Sequence, residues 1–168
     1  MDSLRNFGST DNTVIIGKSI SVAAIGIFSG TALSFNTFIL PSLRKFSAAS
    51  SLSVWSSMFH KAGVSQIGMV VVGSLSSAAV YYKTKNAYFL YGSVVMASIL
   101  PYTVGLLGSV SNKLVEAHEA GTAGPHTEAL LARWEKINLG RAILGLAALG
   151  LVAYGGVTSS PIRFQFKF

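Results

Sequence analysis

Charged residues are scarce in this sequence. Only 11% of the 168 residues are charged, against about 25% in an ordinary soluble domain. Hydrophobic residues make up 51% of the chain, and the mean hydropathy is +0.54. A soluble globule needs a charged exterior, and a disordered chain needs high charge and few aromatic residues. The composition therefore argues against both of these classes.

Cysteine is absent, which excludes disulfides, thiolate catalysis, iron–sulfur clusters and cysteine-ligated zinc. The three histidines, His60, His118 and His126, are scattered along the chain. No Glu-x-x-His pair of the kind that holds a di-iron site in a helical bundle is present. The sequence also lacks a glycine-rich phosphate loop. We therefore expect no metal site and an activity without a cofactor.

The few charges are unevenly placed. Four intervals of 25, 21, 27 and 21 residues contain no charge, and they follow Lys18, Lys61, Lys85 and Arg141. A transmembrane helix needs roughly 20 mostly apolar residues to cross the hydrocarbon core. We predict an all-α fold, a four-transmembrane-helix bundle formed by one domain, residues 1–168. The spans are expected at about residues 19–40, 63–82, 88–110 and 137–157.

The predicted connectors are polar. A polar-amphipathic connector, residues 42–61, is expected between the first two spans, and a hydrophilic connector, residues 111–136, between helices 3 and 4. The first apolar stretch is longer than a signal-peptide core of about 7–15 residues, so we expect it to be retained as a span. The positive residues divide six against seven between the two sides, which leaves the orientation open.

The net charge of +7 would suggest nucleic acid as the partner of a soluble protein. Here the Lys and Arg residues cluster near the ends of the spans, where they meet anionic lipid head groups. We therefore expect contacts with membrane lipid and none with nucleic acid.

One polar stripe enters the bilayer at the start of the fourth span. Trp134, Asn138 and Arg141 are spaced i, i+4, i+7, which places them on one face of a helix. A guanidinium is costly in hydrocarbon and normally faces the bundle interior or water. The stripe would supply a fixed cation, an amide and a flat aromatic wall. The alternative is that Arg141 extends to the head groups from a helix end.

Two further stripes carry polar side chains. The third span contributes Tyr102, Gly105, Ser109 and Asn112, beside Pro101, which frees a backbone carbonyl and favours a kink. The second span contributes Trp55, Phe59, Ala62 and Gln66, with His60 next to them. Ordinary helix packing is the alternative explanation of the third-span stripe.

At these residues the sequence resembles the anthrone oxygenase-like membrane family, over about residues 20–157. The resemblance is carried by a P-[YF]-T element, an N-x-L element and a W-x-x-x-N-x-x-R element, here Pro101-Tyr102-Thr103, Asn112-Lys113-Leu114 and Trp134 to Arg141. It implies cofactor-free oxidation of an anthrone to an anthraquinone by O₂, of the fungal polyketide type. The implied partners are a small lipophilic aromatic substrate and O₂. An endomembrane location, in the endoplasmic reticulum or a vesicle, is expected, and self-association is left open.

That chemistry needs a proton acceptor, donors for an oxyanion, and walls that hold a flat ring away from water. Arg141 and Asn138 are the predicted oxyanion donors. Trp134 and Trp55 are the predicted ring walls, and His60 is the predicted general base. Asn112 or a water could orient the proton transfer instead. The remaining predicted substrate-binding residues are Tyr102 and Phe59.

Two other functions use the same bundle. A cofactor-free membrane cyclase or isomerase would employ the same oxyanion donors on a lipophilic intermediate without consuming O₂. A non-enzymatic scaffold or carrier would explain close helix packing but would leave the stripe from Trp134 to Arg141 without a purpose.

Overall fold

The structure, a computed structural model, describes the backbone of residues 2–159 and the side chains of residues 12–159. This part of the chain is helical, without strands. Helix α1 comprises Asp2–Ser34, a π-helical turn Phe35–Ile39 and a last turn Leu40–Leu43; α2 is Ala48–Thr84; α3 comprises Ala87–Tyr102, a π-helical turn Thr103–Leu107 and Gly108–Glu119; α4 is Pro125–Thr158. Each helix is long and apolar enough to cross a membrane. The predicted four-helix bundle is confirmed, and the chain is a multi-pass membrane protein.

The helices are longer than the predicted spans, chiefly at one end of the bundle. Helix α2 begins at Ala48, inside the predicted connector, because the Ser47 side chain caps it by accepting a hydrogen bond from the Ser50 amide at 3.3 Å. Helices α3 and α4 likewise extend into the hydrophilic connector and leave only residues 120–124 between them. The polar segments are therefore helical extensions of the spans. Arg163, which closes the last charge-free interval, lies outside the described residues.

The α2–α3 connection at the opposite end is a tight turn. Lys85 adopts a left-handed backbone conformation with φ of 55° and ends α2. The Asn86 side chain then accepts a hydrogen bond from the Tyr88 amide at 3.0 Å and starts α3. The bundle thus has one compact end and one end at which long helices project.

Each helix packs against its neighbours in a ring in which α1 lies between α2 and α4, and α3 lies between α4 and α2. Glycines permit the closest approaches between helices. A Cβ atom built at Gly92 would lie 2.5 Å from Val152, and one built at Gly145 would lie 2.7 Å from the Ser29 hydroxyl oxygen. Side chains larger than hydrogen at these two positions would force α4 away from α3 and α1.

Buried apolar side chains form two clusters along the bundle axis. The middle cluster includes Ile25, Phe28, Val70, Phe89, Met96, Ile99 and Val152. The end cluster, at the projecting end, includes Phe35, Leu52, Trp55, Leu107, Leu114, Leu130 and Trp134. The polar residues of the fourth-span stripe lie where the two clusters meet.

The π-helical turn in α3 changes which residues face inward. A π-helical turn holds one more residue than the α-helical turn it replaces, so it shifts the inward face along the sequence. Beyond it, Leu107, Ser111 and Leu114 are buried, whereas Ser109 and Asn112 are exposed. The predicted third-span stripe therefore does not form one inward face.

Candidate active site

A cavity of about 110 Å³ lies between α2, α3 and α4 and is closed on one side by Phe35 of α1. Its lining combines aromatic rings, small residues and a few polar side chains. The lining residues are Phe35, Phe59, Ala62, Gly63, Gln66, Ile67, Thr103, Leu107, Gly108, Ser111, Trp134 and Arg141. Of these, Arg141 alone carries an ionisable side chain.

Arg141 is buried in the bundle, with 6% of its surface exposed. Its Nη2 donates a hydrogen bond to Oε1 of Gln66 at 2.8 Å, across the diagonal of the bundle. The guanidinium carbon also lies 5.5 Å from the centre of the Phe28 ring, a favourable cation–π distance. The structure thus places Arg141 inside the bundle and not at the head groups.

The guanidinium and the amide retain unused donors. Within the described part of the chain, Nε of Arg141 and Nε2 of Gln66 have no hydrogen-bond partner although both are buried. The ion pair found among those residues, Arg44 with Glu135, lies elsewhere, at the projecting end. A buried cation that meets an amide rather than a carboxylate leaves the cavity electropositive, which favours an anionic guest.

Asn138 is fully buried behind the cavity and does not line it. Its Nδ2 donates to the Ala32 carbonyl at 3.0 Å and to Oδ1 of Asn36 at 2.7 Å, so both of its N–H groups are used. The Asn36 amide in turn donates to the Glu135 carbonyl at 2.8 Å. Asn138 therefore ties α4 to α1, and in this arrangement it has no donor left for an oxyanion.

Aromatic rings form the wall of the cavity toward the projecting end. The Trp134 ring meets Phe35 at 5.6 Å and Trp55 at 5.7 Å, both edge-to-face, and Trp55 stacks on Phe59 at 4.9 Å. The Trp134 indole N–H donates to the Ser111 hydroxyl at 3.0 Å, which fixes the ring. Trp134 and Phe59 line the cavity, while Trp55 lies behind them.

Three predicted site residues lie outside the cavity. His60 is exposed, and its Nδ1 lies 2.9 Å from the Ser56 carbonyl oxygen. Asn112 is exposed because of the π-helical turn. The Tyr102 hydroxyl donates to the Ile137 carbonyl at 3.0 Å and joins α3 to α4. This geometry gives none of the three a direct contact with a guest in the cavity.

Sequence reasoning did not select four residues that shape the site: Phe35, Asn36, Thr103 and Ser111. Asn36 carries a signal, since it is an amide inside a charge-free interval, where a polar side chain is costly and normally has a partner. Ser111 carries none, because its inward position depends on the π-helical turn. The described residues contain no group of three or more His, Cys, Asp or Glu side chains arranged to hold a metal ion.

A larger cavity, of about 320 Å³, lies at the projecting end between α1, α2 and α4. Its floor is apolar, with Leu40, Leu43 and Leu131, and the Arg44–Glu135 ion pair lies at its edge. The Glu135 backbone, bonded to Asn36, separates it from the buried amides. It is a polar-boundary cavity without a buried cation.

Comparison with known proteins assigns the family. No curated protein and no solved structure gives a match. Residues 55–151, more than half of the chain, match the anthrone oxygenase family. The matched segment contains Trp55, Gln66, Ser111, Trp134 and Arg141, and so holds most of the cavity lining. With its four membrane-spanning helices and its buried cationic site, the chain belongs to the anthrone oxygenase family.

Proposed function

We propose that this protein is a membrane oxygenase that uses O₂ to oxidise an anthrone-type aromatic ketone to an anthraquinone. The observation that carries the proposal is the pairing of Arg141 with Gln66. Their unused N–H groups belong to a cation and an amide that line an apolar, aromatic-walled cavity. That arrangement suits a flat aromatic molecule whose oxygen atom bears a negative charge.

The reaction can draw its electrons from the substrate itself. Loss of a proton from the anthrone methylene gives an electron-rich enolate, which can pass electrons to O₂. Over the whole reaction the methylene carbon loses two hydrogens and gains one oxygen atom as a carbonyl. The second oxygen atom leaves as water with those two hydrogens, and the four electrons lost by carbon reduce one O₂.

Arg141 and Gln66 are assigned the charge-stabilising role. Donors fixed before reaction and aimed at a developing oxyanion are each worth about 10²–10³ in rate. The low polarity around Arg141 strengthens its attraction to the enolate oxygen. Neither a carboxylate nor an imidazole belongs to the lining of the cavity, so we assign the proton to water at the polar boundary. His60 is not given the role of base.

The aromatic wall is assigned the positioning role. Trp134 and Phe59 present faces or edges against which a planar ring can pack. The Ser111 hydroxyl holds the Trp134 ring by accepting its N–H. Trp55 supports this wall from behind through its stacking on Phe59.

An oxygen electrode tests the proposal. Purified protein treated with a chelator and supplied with an anthrone should consume O₂ and form anthraquinone faster than the spontaneous reaction. Arg141→Ala should lower kcat/KM by about 10²–10³ because the oxyanion loses its cationic donor. Arg133→Ala, an exposed arginine on the same helix, is the matched control and should leave the rate unchanged.

Two results would contradict the proposal. The first is a wild-type rate of O₂ uptake no faster than the spontaneous rate; conversion of a lipophilic substrate without O₂ would instead support the cyclase or isomerase. The second is full activity in a folded Arg141→Ala variant, which would remove Arg141 from the mechanism.

A further inference from the structure

The cavity at Arg141 is closed along the bundle axis in both directions. Toward the projecting end, Trp134 and Leu107 belong to the end cluster of buried apolar residues. Toward the compact end, Phe28 and Ile99 belong to the middle cluster, and both side chains are fully or almost fully buried. A molecule that reaches Arg141 along the axis would have to displace one of these two cores.

The cavity wall is thin on one side, between α2 and α3. Its lining there consists of Gly63 and Ile67 from α2 and Thr103 and Gly108 from α3. Ile67 is 54% exposed, and the two glycines are half-buried. A Cβ atom built at Gly63 would meet no atom within 4 Å. The two helices pack closely along the Ala87–Tyr102 half of α3 and much more loosely beyond the π-helical turn.

This side of the cavity faces the bilayer just below the polar boundary. Gln66, Gly108 and Arg141 are each five residues from a lysine that marks the boundary, Lys61, Lys113 and Lys136 respectively. Five helical residues span about 7.5 Å. At that depth a membrane carries the lower part of its head groups and the start of its acyl chains, where flat amphipathic rings with a polar edge accumulate.

We propose that the substrate enters sideways from the bilayer, through a portal formed by Gly63, Ile67, Thr103 and Gly108. This inference rests on the function proposed above. It defines the substrate class as a membrane-dissolved polycyclic aromatic ketone with its oxygen atoms on one edge. That edge enters first and meets Arg141 and Gln66.

The size of the cavity supports a guest that is only partly enclosed. A dry cavity of about 150 Å³ holds one benzene ring, so a cavity of about 110 Å³ encloses no more than part of a fused tricyclic molecule. The remaining rings must lie in the portal. In an anthrone the methylene is opposite the carbonyl, so the reacting carbon would face the hydrocarbon, where O₂ is more soluble than in water.

The absence of cysteine allows a reversible plug to test the portal. Gly63→Cys introduces a single thiol at the portal, and Gly68→Cys introduces one on an exposed face of the same helix. A Cβ at either glycine meets no atom within 4 Å, so both variants should fold. Each is reconstituted in phospholipid vesicles, labelled with a bulky aromatic methanethiosulfonate, and later treated with reductant to remove the label.

The measurement is stopped-flow quenching of tryptophan fluorescence by an anthraquinone. Both tryptophans lie at the cavity, so quenching reports occupancy independently of turnover. Labelled Gly63→Cys should bind and release the quinone about tenfold more slowly with little change in Kd, because a blocked gate slows both directions. Reductant should restore both rates, and labelled Gly68→Cys should behave like wild type.

The outcomes separate the portal from the proposed function. If labelled Gly63→Cys binds the quinone at the unlabelled rate, the portal is wrong while the binding site stands. If the label raises koff without slowing association, it disturbs the site itself, and the portal is again overturned. If the wild-type protein shows no quenching by the quinone, the proposed function fails and the portal fails with it.

Discussion

At the scale of single residues, the site depends on a cation whose nearest partner is neutral. Arg141 donates to Gln66 and lies beside Phe28, and neither removes its charge. Burial of an unpaired charge is costly, and such residues in membrane helices usually mark a functional site. The free energy that this cost takes from folding is recovered when an anionic guest binds. The amide of Gln66 is therefore as important as the guanidinium.

Gln66→Glu should separate folding from activity. The glutamate carboxylate has nearly the shape of the glutamine amide and would pair with Arg141 through a charge-assisted hydrogen bond. The folded state should be kept, but the cavity would lose its positive charge, and kcat/KM for the anthrone should fall by about 10²-fold. Steady-state O₂ uptake and thermal unfolding measure the two effects.

Asn112→Asp is the matched control for that prediction. It makes the same amide-to-acid change at an exposed position of α3, and activity should not change. Wild-type activity in Gln66→Glu would show that the reaction does not use the charge of Arg141.

Part of this site could be predicted from the sequence. The spacing of Trp134, Asn138 and Arg141 correctly indicated an inward stripe, because helical periodicity is a local property. The partner of Arg141 could not be predicted, since Gln66 lies 75 residues away in sequence. The role of Asn138 changed for the same reason: its partners, Ala32 and Asn36, belong to another helix.

At the scale of helices, the two π-helical turns shape the cavity. Phe35 begins the turn in α1, and Thr103 and Leu107 bound the turn in α3; all three line the cavity. Such turns occur frequently at functional sites. Pro101 indicated irregularity in this part of α3, but periodicity cannot locate an inserted residue. Asn112 was therefore placed on the wrong face.

Deletion of Gly105 tests the role of the turn in α3. Gly105 is exposed, and a Cβ there would meet no atom within 4 Å. Removing one residue should convert the π-helical turn into an α-helical turn while Leu107 and Ser111 keep facing inward. The variant should fold with near-normal stability but lose activity, because the cavity wall narrows. Circular dichroism, thermal unfolding and O₂ uptake provide the measurements.

Deletion of Val94 is the matched control, since Val94 is also exposed but lies in the regular part of α3. Its loss rotates the following residues by about 100°. Met96 and Ile99 would leave the core, at a cost of about 2–5 kcal/mol for each large side chain. If both deletions proved equally destabilising, the interpretation of the π-helical turn as an inserted residue would be wrong.

At the scale of the whole molecule, the distribution of charge predicts the number of spans better than their length. Charge-free intervals mark the segments that hydrocarbon must surround, and four of them gave four helices. They do not mark where helices end, because Ser47, Glu119 and Pro125 lie at helix termini within polar segments. The projecting end, with its extended helices, belongs to the part of the molecule that water and head groups surround.

Topology is the last property that can be tested directly, because the chain contains no cysteine. Ser47→Cys and Thr122→Cys place thiols in the two connectors at the projecting end, and Lys83→Cys places one beside the α2–α3 turn; all three positions are exposed. Four membrane crossings put the first two on one side and the third on the other. A membrane-impermeant maleimide added to sealed vesicles of uniform orientation should therefore label either the first two or the third, and labelling of all three only after lysis verifies access.

The same labelling identifies the leaflet that supplies the substrate. Arg141 and the portal lie near Lys61, Lys113 and Lys136, at the projecting end of the bundle, so the substrate should enter from the leaflet on the side of Ser47 and Thr122. A head-group-anchored fluorescence quencher confined to that leaflet should quench Trp134 more strongly than one confined to the opposite leaflet, because tryptophan quenching falls steeply with distance. Equal quenching from the two leaflets, or labelling of Lys83→Cys together with Ser47→Cys, would contradict this arrangement of the bundle in the membrane.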